Sequence, residues 1–124
     1  MTDRVQTPGE KQFWALASPL LRQPGVTRST MMGFACLRLD GGFFATCDHR
    51  TGDLVVKLNE QRVSALVDAG LAEPFAPNGR RFREWASIPL SHRRRWSRLL
   101  DDALELAATR KSGRSAPARR RVQR

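Results

Sequence analysis

The sequence predicts an α+β fold in which helices cover an antiparallel sheet, and three patterns carry that prediction. Between Val26 and Leu58, short apolar runs alternate with Gly- and Asp-containing turns, the signature of consecutive strands joined by tight connections. From Val55 to Pro89 the chain passes from a strand to a capped helix, a Pro/Gly-rich loop and a further strand. Apolar stripes at helical spacing stand before and after this β-rich region.

The first helix opens with a capping box. Thr7 is placed to cap, Pro8 takes the first helical position and Glu10 the third, from which its side chain reaches back. Phe13, Leu16, Ala17 and Leu20 follow on one face, widened by Trp14 and Leu21, and Pro19 is expected to kink or end the helix near Ser18. Strands are expected over Val26–Met31, Gly33–Leu39, Phe43–Cys47 and Asp53–Leu58. Asp40, Gly41 and Gly42 supply a tight hairpin, and 49–52 a second turn. Both faces of the second strand carry apolar side chains, so both are expected to be at least partly buried. Asn59 caps a helix that buries Val63, Leu66 and Val67, with Gly70 as its left-handed C-terminal residue and Leu71 folding back. Pro74, Pro77, Asn78 and Gly79 read as an irregular loop before a last strand, Arg81–Ile88, which Pro89 ends. Ser91 is placed to cap a final helix striped by Trp96, Leu99, Leu100, Ala103, Leu104 and Ala107.

A chain of 124 residues suits one domain, expected over residues 1–108, followed by a disordered basic tail over 109–124. The net charge is +10, and the tail holds seven of those charges without an acid: Arg110, Lys111, Arg114, Arg119, Arg120, Arg121 and Arg124. No apolar run approaches the roughly 20 residues needed to cross a bilayer. The polar, mixed-charge N-terminus does not read as an export signal, so a cytoplasmic location without membrane association is expected. In that setting Cys36 and Cys47 are expected to be free, buried thiols.

Several of these residues resemble the N-terminal domain of the TfoX/Sxy family of competence regulators and its short stand-alone members. The resemblance rests on Met32-Gly33 opening a strand, Leu39-Asp40-Gly41 at the hairpin, Phe44-Ala45 in the return strand and Asp53-Leu54 with Lys57 before the helix. Glu73-Pro74-Phe75, Gly79-Arg80 and Glu84-Trp85 extend it. It covers about half of the chain, from Val26 to Pro89. It implies a secretion-chaperone-like α+β fold, a curved antiparallel sheet of about five strands flanked by helices, and a regulatory role. Family regulators carry a helical C-terminal domain where this chain has its basic tail.

Catalytic chemistry finds little support. Cys47 and His49 share one strand face and Asp48 the other, with no second Cys/His pair at zinc-like spacing, so no metal is expected. A Cys47–His92 nucleophilic pair lacks any oxyanion-forming motif beside it. Neither a GxGxxG nor a GxxxxGK[ST] phosphate cradle occurs, so no cofactor is expected.

The electrostatic pattern is more informative. Arg93, Arg94 and Arg95 precede the acids Asp101, Asp102 and Glu105 on the last helix, an order that opposes the helix dipole. With Arg80, Arg81 and Arg83 they are expected to make one cationic surface, and Arg98 to pair with Asp101 or Asp102. Trp14 and Trp96 fall on apolar stripes, whereas Trp85 is open to either packing or base stacking. The leading expectation is therefore a non-enzymatic regulatory or interaction module. Its tail and Arg93–Arg95 would bind nucleic acid non-specifically, or an acidic protein partner. The alternative is a small ligand-binding domain or enzyme with a pocket near Lys57, Glu84 and Arg81. A homodimer through an exposed sheet or helix face is a third expectation.

Overall fold

The computed structural model describes residues 7–31, 34–48, 50–76 and 79–115. Met32, Gly33, His49, Pro77 and Asn78 lie outside the described residues. So does the arm from residue 116 onward, with Arg119, Arg120, Arg121 and Arg124.

Local signals act as the sequence implies. Helix α1 spans Pro8–Leu20, and its capping box closes in both directions: Glu10 N–H donates to Thr7 Oγ1 (3.1 Å) and Thr7 N–H to Glu10 Oε1 (2.9 Å). Pro19 falls inside the last turn rather than ending the helix at Ser18. So near the terminus, its missing N–H removes a single ladder bond. Strands β1 (Val26–Met31), β2 (Phe34–Leu39), β3 (Gly42–Cys47) and β4 (Leu54–Lys57) form the antiparallel meander. Asp40 and Gly41 are the two left-handed residues of the β2–β3 turn, with φ of 49° and 92°, while Gly42 already belongs to β3. Helix α2 (Glu60–Asp68) starts with Arg62 N–H donating to Asn59 Oδ1 (2.8 Å). It ends with Gly70 at φ 77° and Leu71 N–H donating to Leu66 O (3.0 Å), the closure that a glycine in this conformation permits.

The sheet has six strands where the sequence predicts five, in the order β1-β2-β3-β4-β6-β5 and antiparallel throughout. The additional strand, β5 (Glu73–Phe75), lies in the segment expected to be an irregular loop, and pairs with β6 (Phe82–Ile88). Pro74 hid it from the sequence reading. Proline is tolerated there because β5 is an outer strand with one side unpaired. Strand β6, last in sequence, is inserted between β4 and β5.

Register assigns the two sheet faces. Leu37, Ala45, Val56 and Ala86 are successive cross-strand partners in β2, β3, β4 and β6, and all four are fully buried in the core beneath the helices. On the reverse face, Ser29, Cys36, Thr46, Val55, Ser87 and Glu73 form a row across all six strands. The centre of that row, Cys36, Thr46 and Val55, is buried as well, so β2 has two covered faces as its composition implies. Thr46 meets the cost of burying a hydroxyl by donating to Ala35 O (2.6 Å).

The final helix departs from expectation at both ends. Ser91 does not cap it: Leu90–Arg95 form a 3-10 turn, His92 leaves helical geometry (φ −109°, ψ 28°), and α3 begins at Trp96. Its backbone then runs to Ser115, beyond residue 108 where the folded body was expected to end. Ala107, Ala108 and Arg110 are good helix formers, and the first glycine after them is Gly113. Trp96, Leu99, Leu100 and Ala103 on α3 meet Phe13 and Ala17 of α1 and Leu54, Val56 and Ile88 of the sheet in one core.

Candidate nucleic-acid interface

Arg93, Arg94 and Arg95 are exposed on the 3-10 turn immediately before α3, not within its first turn. Their electrostatic setting is nevertheless the anticipated one. The first turn of α3 contains no acid, and among the described residues none of the three arginines pairs with a carboxylate. Of the acids that follow on α3, Asp102 accepts from Arg62 (2.9 Å) and meets Arg98 one turn before it (3.5 Å), while Asp101 is exposed. Three cations beside the positive pole of a helix repel one another and the pole, and an arriving phosphate relieves both repulsions.

Arg80, Arg81 and Arg83 do not join this group. Arg110 Nη2 lies 3.0 Å from Glu84 Oε2 and Nη1 3.4 Å from Oε1, a forked pair that fixes the distal part of α3 to the start of β6. Arg110 lies fourteen residues beyond Trp96 on α3, about 21 Å along the helix axis at 1.5 Å per residue. The expected single cationic surface is thus two surfaces, one at each end of α3. Arg110 also moves from the free tail, where the sequence placed it, into an ion pair on the folded body. The helical backbone continues beyond it to Ser115, and the side chains of Lys111 and Arg114 lie outside the described residues.

Around the Arg110 end, Lys57, Arg81 and Glu84, the residues expected of a ligand pocket, line one shallow depression with Arg80, Phe82, Arg83 and Trp85. Glu84 is engaged by Arg110 there, and Arg83 reaches Glu60 at 3.5 Å, so Glu84 pairs with a residue of α3 rather than with its neighbour Arg83. A second cleft, between the sheet and α3, is lined by Leu39, Phe43, Phe44, Lys57, Leu106 and Arg110. Its volume of about 70 Å³ is less than half of the roughly 150 Å³ that admits benzene, too little for a cofactor.

The candidate nucleophiles lie elsewhere. Cys36 and Cys47 are free and buried. Burial, reinforced by the charges of Glu10, Asp48 and Asp53, pushes the Cys47 thiol up to about 12, so it stays protonated and a poor nucleophile. Burial alone would raise the Asp48 carboxyl. Hydrogen bonds from the Arg50 side chain and N–H, the Arg50 charge and the Thr51 N–H outweigh that effect and hold it below the ordinary carboxylate range. A depressed native pKa stabilises the fold at pH above the unfolded value of about 3.9, and that contribution is lost as pH falls through the native value. Asp48→Asn is therefore expected to flatten the loss of stability below pH about 4 in urea titrations at stepped pH. An unchanged acid limb would contradict this.

Among the described residues, no cluster of His, Cys, Asp and Glu is arranged to hold a metal, and no helix is long and apolar enough to cross a membrane. Trp96 is fully buried and Trp14 half-buried under Arg28, whose guanidinium lies 4.2 Å from its ring. Trp85 is half-buried at the depression. Comparison with known proteins yields no match: no family model fits the chain, and no curated protein or solved structure is similar to it.

Proposed function

We propose that this chain is a non-enzymatic regulatory or interaction module of the kind represented by the TfoX N-terminal domain. In this reading it acts in the cytoplasm and binds nucleic acid without sequence preference through its arginines and basic tail. The observation that supports the reading best is the exposed Arg93-Arg94-Arg95 run. It stands beside the acid-free first turn of α3, and among the described residues none of the three pairs with a carboxylate. Exposed arginines in such a place gain more from phosphate than from solvent, because each phosphate contact also releases condensed counterions.

The test is the salt dependence of duplex DNA binding for the full chain, for a chain ending at Ser115, and for the Arg93→Gln, Arg94→Gln, Arg95→Gln triple variant. Ending at Ser115 keeps α3 and its Arg110–Glu84 pair. Each phosphate contact contributes about 0.9 to the slope of log K against log salt. The triple variant is expected to lower that slope by up to about 3, and loss of the four arginines beyond Ser115 by up to about 4. Equal slopes in all three proteins, or no binding by the full chain at low salt, would overturn the proposal.

A further inference from the structure

We infer that the reverse face of the sheet at the start of β6 is a platform for single-stranded nucleic acid, with Trp85 stacking on a base and Lys57 and Arg83 holding the flanking phosphates. This deepens the proposed function and rests on it, naming a substrate class and a second site distinct from Arg93–Arg95.

Two features converge on this patch. First, Lys57 and Trp85 are direct cross-strand partners of β4 and β6. Side chains alternate along a strand, so Arg83, two residues before Trp85, points to the same face. An aromatic ring on a sheet, bordered by cations on the neighbouring strand and along its own, is the arrangement that lets a base lie flat while its phosphates are neutralised.

Second, the surroundings favour anions. Lys57, Arg80, Arg81 and Arg83 border the depression with a single lining carboxylate, that of Glu84, which Arg110 engages at 3.0 Å, and Arg83 also meets the exposed Glu60 of α2 at 3.5 Å. Phe82, half-buried with the Arg80 guanidinium 5.9 Å from its ring centre, offers a second aromatic surface. Phe75, buried between the two with ring centres 5.9 Å from Phe82 and 6.4 Å from Trp85, holds both in place from β5. The depression is shallow and open, so a base reaches it from solvent.

A duplex buries its base faces within the stack and gains the phosphate contacts alone.

Fluorescence anisotropy with short oligothymidylate, short oligouridylate and a short duplex tests the inference on the full chain. Trp85→Leu is expected to weaken single-strand binding about 5- to 150-fold, the range for loss of one stacked base, and to leave duplex binding unchanged. Trp85→Phe is expected to retain most of the affinity. The paired Lys57→Gln, Arg83→Gln variant, which removes no aromatic packing, should lower the single-strand salt slope by about 1.4, or roughly 0.7 per phosphate. The DNA and RNA arms separate the two sources of a single strand, and a selective loss on either supports the platform. Unchanged single-strand affinity in Trp85→Leu, or equal losses on single strand and duplex, overturns it. If the chain ending at Ser115 nevertheless loses duplex binding, the proposed function survives that failure. If the full chain binds no nucleic acid, both fall.

Discussion

Replacing Trp96 by alanine is expected to destabilise the fold by about 3–5 kcal/mol, the usual consequence of emptying a large aromatic site in a closed core. Trp96 is fully buried, heads the largest buried side chains, and stands where the 3-10 turn gives way to α3. Its indole N–H donates to Pro89 O (3.3 Å), linking the end of β6 to the start of the helix. Truncation therefore both opens a cavity and removes one of the two donors to Pro89 O, which keeps the His92 N–H (2.9 Å). Against a total stability of about 5–15 kcal/mol for an ordinary domain, most of the population at moderate temperature is at risk. Urea unfolding followed by far-UV circular dichroism measures the change, and a loss below about 1 kcal/mol would show that the core does not depend on this residue. Trp96→Phe keeps most of the volume and should cost clearly less, isolating the hydrogen bond from the cavity.

Gly9→Ala is expected to cost about 2–3 kcal/mol or more, although alanine is the better helix former and an exposed helix position would gain by the change. Gly9 is buried at the start of α1 against the turn between β3 and β4, and a β-carbon built on it would overlap the carbonyl of Gly52. Backbone lies on the other side of the contact, so relief requires α1 or the turn to move as a body. Gly52 cannot easily yield, since it holds φ 82° and its N–H donates to Asp48 O (2.6 Å). A shift of α1 would also disturb Phe13 and Ala17, both fully buried. Thermal and chemical unfolding of Gly9→Ala beside an exposed control, Ser64→Ala in α2, decides the matter. Equal or higher stability of Gly9→Ala would mean that the approach of helix to turn is looser than described.

Much of the fold was legible because its signals act over a few residues. Thr7 and Glu10, Asn59 and Gly70, and Asp40 and Gly41 each operate within one turn of chain, and each does so in the structure. The strand β5 was missed for the opposite reason. Three residues containing a proline carry no period-two pattern, and they become a strand only because β6 lies alongside to accept them. Ser91 failed as a cap because Pro89, Leu90 and the Trp96 bond to Pro89 O impose a 3-10 turn before the helix proper. At the candidate interface, the sequence named the arginines, Lys57, Glu84 and Trp85 but joined them in the wrong groups. Arg93–Arg95 and Arg80–Arg83 are near neighbours in the chain, yet β6 runs between them and carries them to opposite ends of α3.

The residues by themselves determined where α1 and α2 begin, where the hairpin turns, which side chains enter the core, and that positive charge gathers late in the chain. Those properties follow from capping, backbone dihedral preference, periodicity and composition, none of which needs a distant partner. Only the tertiary structure decided that β6 enters between β4 and β5, that Lys57 lies across from Trp85, and that Arg110 reaches Glu84 26 positions earlier. Pairings of that kind depend on which strand wins an inner place in the sheet. That choice is made by the burial of the whole assembled core rather than by any one segment.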